Sequence, residues 1–510
     1  MVSDFSAQER WDTVVIGAGL GGLVAAAELT AAGRRVLVLE RRPHPGGTAY
    51  AYRRGSFWFP MGPLGFSSTG PVRMALCRLE GGGLDLERVH YRVHGMGIDV
   101  KLSLPLTELA EELERVFPGD GGGLRTFFAD VARIAGELQA GRGAGPAALT
   151  PADDYLRSAI RDSRLRRLLG SLGTRPPYSS LALIAAMWHL MTEEGIWHPR
   201  AGMRSLCDRL VAAVERSGGE VRLRREVAAI VVKNGRVAGV KLRDGTQLEA
   251  RTVVSNADYK RTFGELVDGA ALSARFARAV RAAPQTGSLV QVCLGLDRDR
   301  VDLSAFAGAT RIIYRREEAV GAGAADWSAA RVDPRRFAGE ELEIALLSAD
   351  DPTLAPSSGA VVVIRVHADY AQFTTFRTAV GRRTAEYGDY KRSLADALIA
   401  EVESLLPGLA GAVRVVDVAT PLTFDELGGR SEGAIAGWSW SWNLEGEQED
   451  ALRELVCTPI EGLYMAGYQA LSALYLGGVP TAVRSGERAA ECVLLDVAPD
   501  PRPRLPGVAG

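Results

Sequence analysis

The chain has 510 residues, 47% hydrophobic and 24% charged, with a formal net charge of -2. That length exceeds one ordinary domain, and the balance is that of a folded globular protein with no electrostatic footprint for nucleic acid. Cys77, Cys207, Cys293, Cys457 and Cys492 are far apart with no C-x-x-C, and six histidines are scattered. This argues against a disulfide framework or zinc site and suits a reducing, cytoplasmic setting.

The first residues, MVSDFSAQERW, lack the charged-then-apolar pattern of a signal peptide. No stretch reaches the roughly 18 apolar residues of a membrane span. The nearest, Leu181 to Met191, reads as a buried helix, or as a surface that touches membrane or lines an apolar pocket.

Thr13 to Ile16 is a β-branched run typical of a buried parallel strand. Gly17-Ala18-Gly19 and Gly22 then supply a G-x-G-x-x-G turn, Leu20 to Ala32 a helix, and Gly33 its stop. Val36 to Leu39 is a second strand, and Glu40 stands 18 residues after Gly22. This order is the dinucleotide fingerprint. Gly17 permits the tight turn, Gly19 the approach of a pyrophosphate, and Gly22 close helix–strand packing, while Glu40 can accept from ribose hydroxyls. Arg41 reads either as a partner along the adenosine or as a solvated charge. Gly46-Gly47, with Thr48 after them, are permissive backbone suited to a bend beside a phosphate, or merely a turn.

The succession of G-x-G-x-x-G, Glu40, Gly46-Gly47 and the aromatic GSFWFPMGP segment resembles the FAD-binding amine-oxidase superfamily, specifically its phytoene desaturase branch. The resemblance implies FAD rather than NAD, with the double glycine and Thr48 on the pyrophosphate side. It brings Met61, Gly62 and Pro63 to the flavin ring.

Val89 to Val93 and Ile98 to Leu104 read as strands of a second sheet, punctuated by Gly81 to Gly83 and Gly121 to Gly123. Helical patterns follow at Leu106 to Phe117, with Thr107 or a neighbour as cap, then at Leu124 to Leu138 and Asp153 to Leu169. Met203 to Ser217 is a helix, and Val227 to Lys233 with Arg236 to Leu242 a hairpin across Asn234-Gly235. The W-x-P-x-A-G-M entry (Ala201 replacing a glycine) and the VVSNAD exit are similar to the same family. By that resemblance the Val227 backbone meets adenine, and Asn256-Ala257 pass near the pyrophosphate.

Leu289 to Leu296, Leu342 to Leu347, Ala360 to His367 and Val413 to Val418 are strand-like, and Tyr387 to Leu405 helical. That region carries no catalytic signature and reads as platform. Trp438, Trp440 and Trp442 share a face if they form a strand. They are either an aromatic core patch or an apolar wall for a long unsaturated substrate. Leu463 to Gly467 is a strand and Val479 to Val493 a helix. By resemblance, Gly467, Tyr468, Gly478, Val479 and Pro480 embrace the flavin, with the helix N-terminus at the ring. The QALSALYLG connection departs from the family's shorter loop. Tyr468 and Tyr475 are candidate phenol donors to substrate or flavin, although Tyr475 also reads as packing.

The expected fold is α/β, with a discontinuous Rossmann-like FAD-binding domain (10–85, 195–285 and 415–498). A second, α+β substrate domain (86–194 and 286–414) is built on a mixed or antiparallel sheet, and 499–510 is a tail. The resemblance implies FAD-dependent hydride transfer to or from a hydrophobic isoprenoid or carotenoid-like substrate, by desaturation, saturation or cis–trans isomerisation. It also suggests peripheral membrane contact. A flavin amine oxidase with an aromatic cage, and a non-catalytic flavin- and lipid-binding protein, are the rival readings. The oligomeric state stays open.

Overall fold

The computed structural model describes residues 10–140, 150–171, 180–315, 332–438, 455–471 and 478–495. Strand β1 (Arg10–Ile16) leads through Gly17 to helix α1 (Leu20–Ala31) and strand β2 (Val36–Glu40). β1 pairs parallel with β2 and, on its other side, with Gln247–Ser255. The full sheet runs Val227–Lys233, Arg236–Leu242, Gln247–Ser255, β1, β2, Glu220–Leu223, and Leu463–Met465 pairs parallel with the end of Gln247–Ser255. β2 is buried at every residue, as expected for a central parallel strand covered on both faces. The hairpin turns at Asn234 (φ 51) and Gly235 (φ 76), the paired positive angles of a type I′ turn.

Helix α1 is covered by Gly478–Leu495, and glycines set the distance. A Cβ on Gly486 would lie 2.3 Å from the Gly21 carbonyl oxygen, and one on Gly22 would lie 2.3 Å from that of Gly17. Neither contact is sterically tolerable, so both positions require glycine for packing.

The second sheet also has seven strands, in the order Val413–Ala419, Ser288–Asp297, Gly359–Ala368, Leu342–Leu346, Arg311–Tyr314, Tyr91–Gly95, Ile98–Lys101. Among the described residues only Arg311–Tyr314 with Tyr91–Gly95 is parallel, so the sheet is mixed. Val413–Ala419 pairs along Ser288–Asp297. The expected boundary at 415 therefore moves beyond Ala419, because hydrogen bonding commits that whole strand to the second sheet. Leu86–Val89 pairs with Ile196–Pro199, tying the start and end of the inserted helical region together.

That region departs from its expected outline in three places. Gly121–Gln139 is one helix that begins at the three glycines instead of after them, and a Cβ on Gly123 would strike the Ala159 carbonyl at 2.0 Å. The single helix expected over Asp153 to Leu169 is two, Ala152–Ala159 and Ser163–Ser171. Between them the buried Asp120 carboxylate accepts from the Arg161 and Asp162 N–H groups, at 2.6 and 3.0 Å. The helix Leu106–Val116 has no side-chain cap of its own at Thr107; its Leu106 N–H donates to Glu193 at 3.0 Å. Leu181–His189 is a buried helix, capped by Ser180, in the core of this helical layer. Among the described residues, no helix is long and apolar enough to cross a membrane.

Candidate active site

A single cavity of about 850 Å³ runs from the glycine turn after β1 to the inner face of the second sheet. This is at the upper end of the usual range for ligand sites. Gly17, Gly19, Glu40, Arg41, Gly46, Gly47, Thr48, Met61, Gly62, Pro63, Val227, Asn256, Ala257, Gly467, Tyr468, Gly478 and Val479 all line it. Residues from both ends of the chain thus meet in one space. Ala18, Gly22 and Pro480 do not line it. Ala18 is buried behind the turn, Gly22 serves helix packing, and Pro480 is buried in the first turn of its helix.

The nucleotide end is built from backbone. The Glu40 carboxylate accepts the Ala18 N–H and the Arg42 N–H, each at 2.9 Å, and so ties the glycine turn to the end of β2. Gly46 (φ 111) donates its N–H to the Ala18 carbonyl at 2.7 Å, and a Cβ on Gly47 (φ 55) would lie 3.4 Å from Gly19 Cα. The double glycine therefore lies across the first glycine turn. The Asn256 side chain is wedged among glycines. A Cβ on Gly19 would come 2.6 Å from its Nδ2, and Cβ atoms on Gly21 and Gly467 within 2.8 and 2.9 Å of its Oδ1. Helix α1 starts at Leu20 with no side-chain cap, leaving its first N–H groups for a ligand.

Seven arginines and five carboxylates line the cavity, a formal excess of two positive charges. That excess, the bare helix start and the glycine cradle fit a doubly charged pyrophosphate. Arg430 donates to Thr48 Oγ1 at 2.8 Å and lies over the Tyr468 ring, 4.6 Å from its centroid. Sequence reasoning passed over Arg430, which has no motif around it.

Tyr468 donates its hydroxyl to Asp258 at 3.2 Å, and burial beside that carboxylate holds the phenol well above its ordinary pKa. Asp258 also accepts from the Ser431 hydroxyl at 2.6 Å and the Ser431 N–H at 3.0 Å. Tyr468 is thus a neutral phenol whose proton is already engaged, an arrangement suited to shaping the cavity. Tyr475, Trp440 and Trp442 lie outside the described residues. Trp438 does not line the cavity. It is buried in the core of the first domain, packs edge-on against Tyr259 with centroids 5.7 Å apart, and donates to the Gln469 carbonyl at 2.9 Å.

The far end is apolar, with Leu183, Met191, Leu289 and Ile313. Leu183 and Met191 come from the Leu181–Met191 stretch, which is therefore both buried helix and pocket wall. Tyr91, Glu343, Arg365 and His367 also face this end. They were missed because alternating charged positions in a strand read as solvent-facing.

A family model described as flavin containing amine oxidoreductase matches residues 20–494. The prolycopene isomerase of Daucus carota is 24% identical over 501 residues, covering 90% of this chain and 76% of its own. The all-trans-retinol 13,14-reductase of Danio rerio is 23% identical, covering 94% and 86%. A lycopene-forming phytoene desaturase of Pseudescherichia vulneris is 29% identical over 57% of this chain and 65% of its own. The fold is similar to a crystal structure of an oxidoreductase from Methanosarcina mazei, with TM-score 0.63 at 18% identity, covering 94% of this chain and 99% of that one. With the cradle, the charge balance and the family match together, the chain is an FAD-dependent oxidoreductase and belongs to the flavin containing amine oxidoreductase family.

Proposed function

We propose that this enzyme moves a hydride to or from an allylic or polyene carbon of a hydrophobic isoprenoid-type substrate, in a desaturation, saturation or cis–trans isomerisation. The observation that carries this reading is the continuity of the cavity: the nucleotide cradle opens directly onto the apolar wall of Leu183, Met191, Leu289 and Ile313. Relatives named for prolycopene isomerisation and retinol reduction match along nearly the whole chain, which supports a substrate that already carries a polyene.

Bound FAD supplies the hydride chemistry. In this reading Gly17, Gly19, Gly46 and Gly47 leave room for the pyrophosphate, and Glu40 holds the turn and meets the ribose. Val227 would hold the adenine, Arg430 orders Thr48, and Met61 to Pro63 would face the ring. The apolar wall orients the chain of the substrate and keeps water from the reacting carbon. The aromatic cage of an amine oxidase gains no support from Trp438, whose ring is spent in the core.

The test is an anaerobic titration of the flavin-loaded protein with polyenes of different length, read by the flavin absorption bands. A saturable shift is expected, and failure of every polyene and long apolar ligand to perturb the spectrum overturns the reading. Rapid peroxide release with amines would replace it with the amine oxidase reading. A cytoplasmic enzyme that exchanges such a ligand must meet a membrane surface. Co-sedimentation with liposomes tests that contact, which the buried Leu181–His189 helix does not supply.

A further inference from the structure

The strands of the second sheet alternate, but their polar side faces the cavity instead of solvent. Val292, Ile344 and Ile364 pack into the core on one face. Tyr91, Glu343, Arg365 and His367 line the cavity on the other. The register sets Glu343 opposite Arg365, and Arg365 opposite Gln291.

The hydrogen bonds of this group are almost, but not fully, closed. Tyr91 donates its hydroxyl to Glu343 Oε1 at 3.1 Å. Arg365 donates from Nε to Gln291 Oε1 at 2.8 Å, and from Nη2 to the same oxygen at 2.6 Å and to the Gly62 carbonyl. Its Nη1 makes no hydrogen bond among the described residues and stands 3.9 Å from Glu343 Oε2, beyond hydrogen-bond length. An open donor and an open acceptor therefore flank each other on the cavity wall, beside the Met61–Pro63 turn. Burial lowers the Arg365 pKa from its ordinary value while Glu343 works to restore it, so the guanidinium gains from a further acceptor.

Chemistry decides what closes that gap. A hydrocarbon leaves both groups unpaired. A carboxylate is repelled by Glu343, and an ammonium by Arg365. A carbonyl serves Nη1 but sets its lone pairs against the carboxylate. Of these groups only a hydroxyl accepts from Nη1 and donates to Glu343 at once. We propose that Glu343 and Arg365, positioned by Tyr91 and Gln291, form a hydroxyl-binding subsite, and that the substrate is a polyene alcohol. This rests on the isoprenoid reading above and narrows it.

The experiment titrates the purified holoenzyme with all-trans-retinol and with the hydrocarbon that carries a methyl group in place of its CH₂OH, read by flavin absorption and tryptophan quenching. A site built to hydrogen-bond a hydroxyl discriminates strongly against the analogue lacking it, so the wild type should prefer the alcohol by about tenfold or more. Glu343→Leu and Arg365→Met should each abolish the preference by weakening the alcohol while leaving the affinity for the hydrocarbon within about twofold. Equal wild-type affinities overturn the subsite, as does a preference that survives both substitutions. A ligand-free spectral shift in Glu343→Leu, which removes no bond to the Met61–Pro63 turn, assigns the pair to the cofactor and equally overturns it. Should either variant fail to retain flavin, the wild-type comparison together with Glu343→Gln, which keeps the shape and removes the charge, decides. Binding of neither ligand overturns the isoprenoid reading itself.

Discussion

Replacing Glu40 with alanine separates two roles that are easily confused. The side chain is 6% exposed, and its two oxygens accept the Ala18 and Arg42 N–H groups at 2.9 Å each. Alanine leaves the buried Ala18 N–H without an acceptor, at roughly 1–3 kcal/mol, while the half-buried Arg42 N–H can turn to water. At roughly 2–4 °C per kcal/mol for a domain of this class, the melting midpoint of the flavin-free protein should fall by roughly 2–12 °C. That cost falls on the flavin-free and the flavin-bound protein alike, so a loss of FAD affinity reports the separate contact of Glu40 with the ribose. The assay is calorimetry of the stripped and reconstituted protein, with FAD affinity from quenching of flavin fluorescence. A variant that loses FAD affinity but keeps the wild-type apoprotein midpoint refutes the reasoning, because Glu40 would then act on the ribose alone.

Gly22→Ala places a Cβ 2.3 Å from a backbone oxygen and should cost about 1–3 kcal/mol, seen as a lowered midpoint and poor flavin retention. Gly122→Ala, in the first turn of Gly121–Gln139 with nothing within 4 Å, should raise the midpoint by up to about 1 kcal/mol in stability. Burial raises the pKa values of Tyr91, Tyr259 and Tyr468. Their contribution to stability is full below the unfolded value near 10 and is lost as pH rises above it, which urea melts between about pH 8 and 11 should record as a steepening loss. Burial also pushes Cys207 and Cys293 up to about 12, whereas Cys77 is exposed. Iodoacetamide at about pH 8 should label Cys77 in the native protein and reach Cys207 and Cys293 only in denaturant, as peptide mass spectrometry would show.

Legibility in the sequence followed the range of the forces involved. β1, α1, β2 and the Asn234-Gly235 hairpin lie where they were expected, because strand runs, glycine turns and helix stops act over a few residues. Asp153 to Leu169 was misread because the group that breaks it, Asp120, comes from a distant segment. The three glycines at 121–123 looked like punctuation, but Gly123 is there to permit close approach to Ala159.

The amino-acid sequence by itself determined the cofactor end. The spacing from Gly17 to Glu40, the double glycine at 46–47 and the closing segment at Gly467 each carry their chemistry locally. Tertiary structure alone decided the substrate end. Val413–Ala419 is plainly a strand, yet only pairing assigns it to the second sheet. A ring such as Trp438 suits a core or a ligand wall equally, and only packing chose the core. Alternation along Leu342–Leu346 and Gly359–Ala368 puts Glu343 and Arg365 on one face, but a period of two cannot say what covers that face. The folding of one sheet against the other turned it from a surface into the wall of a cavity.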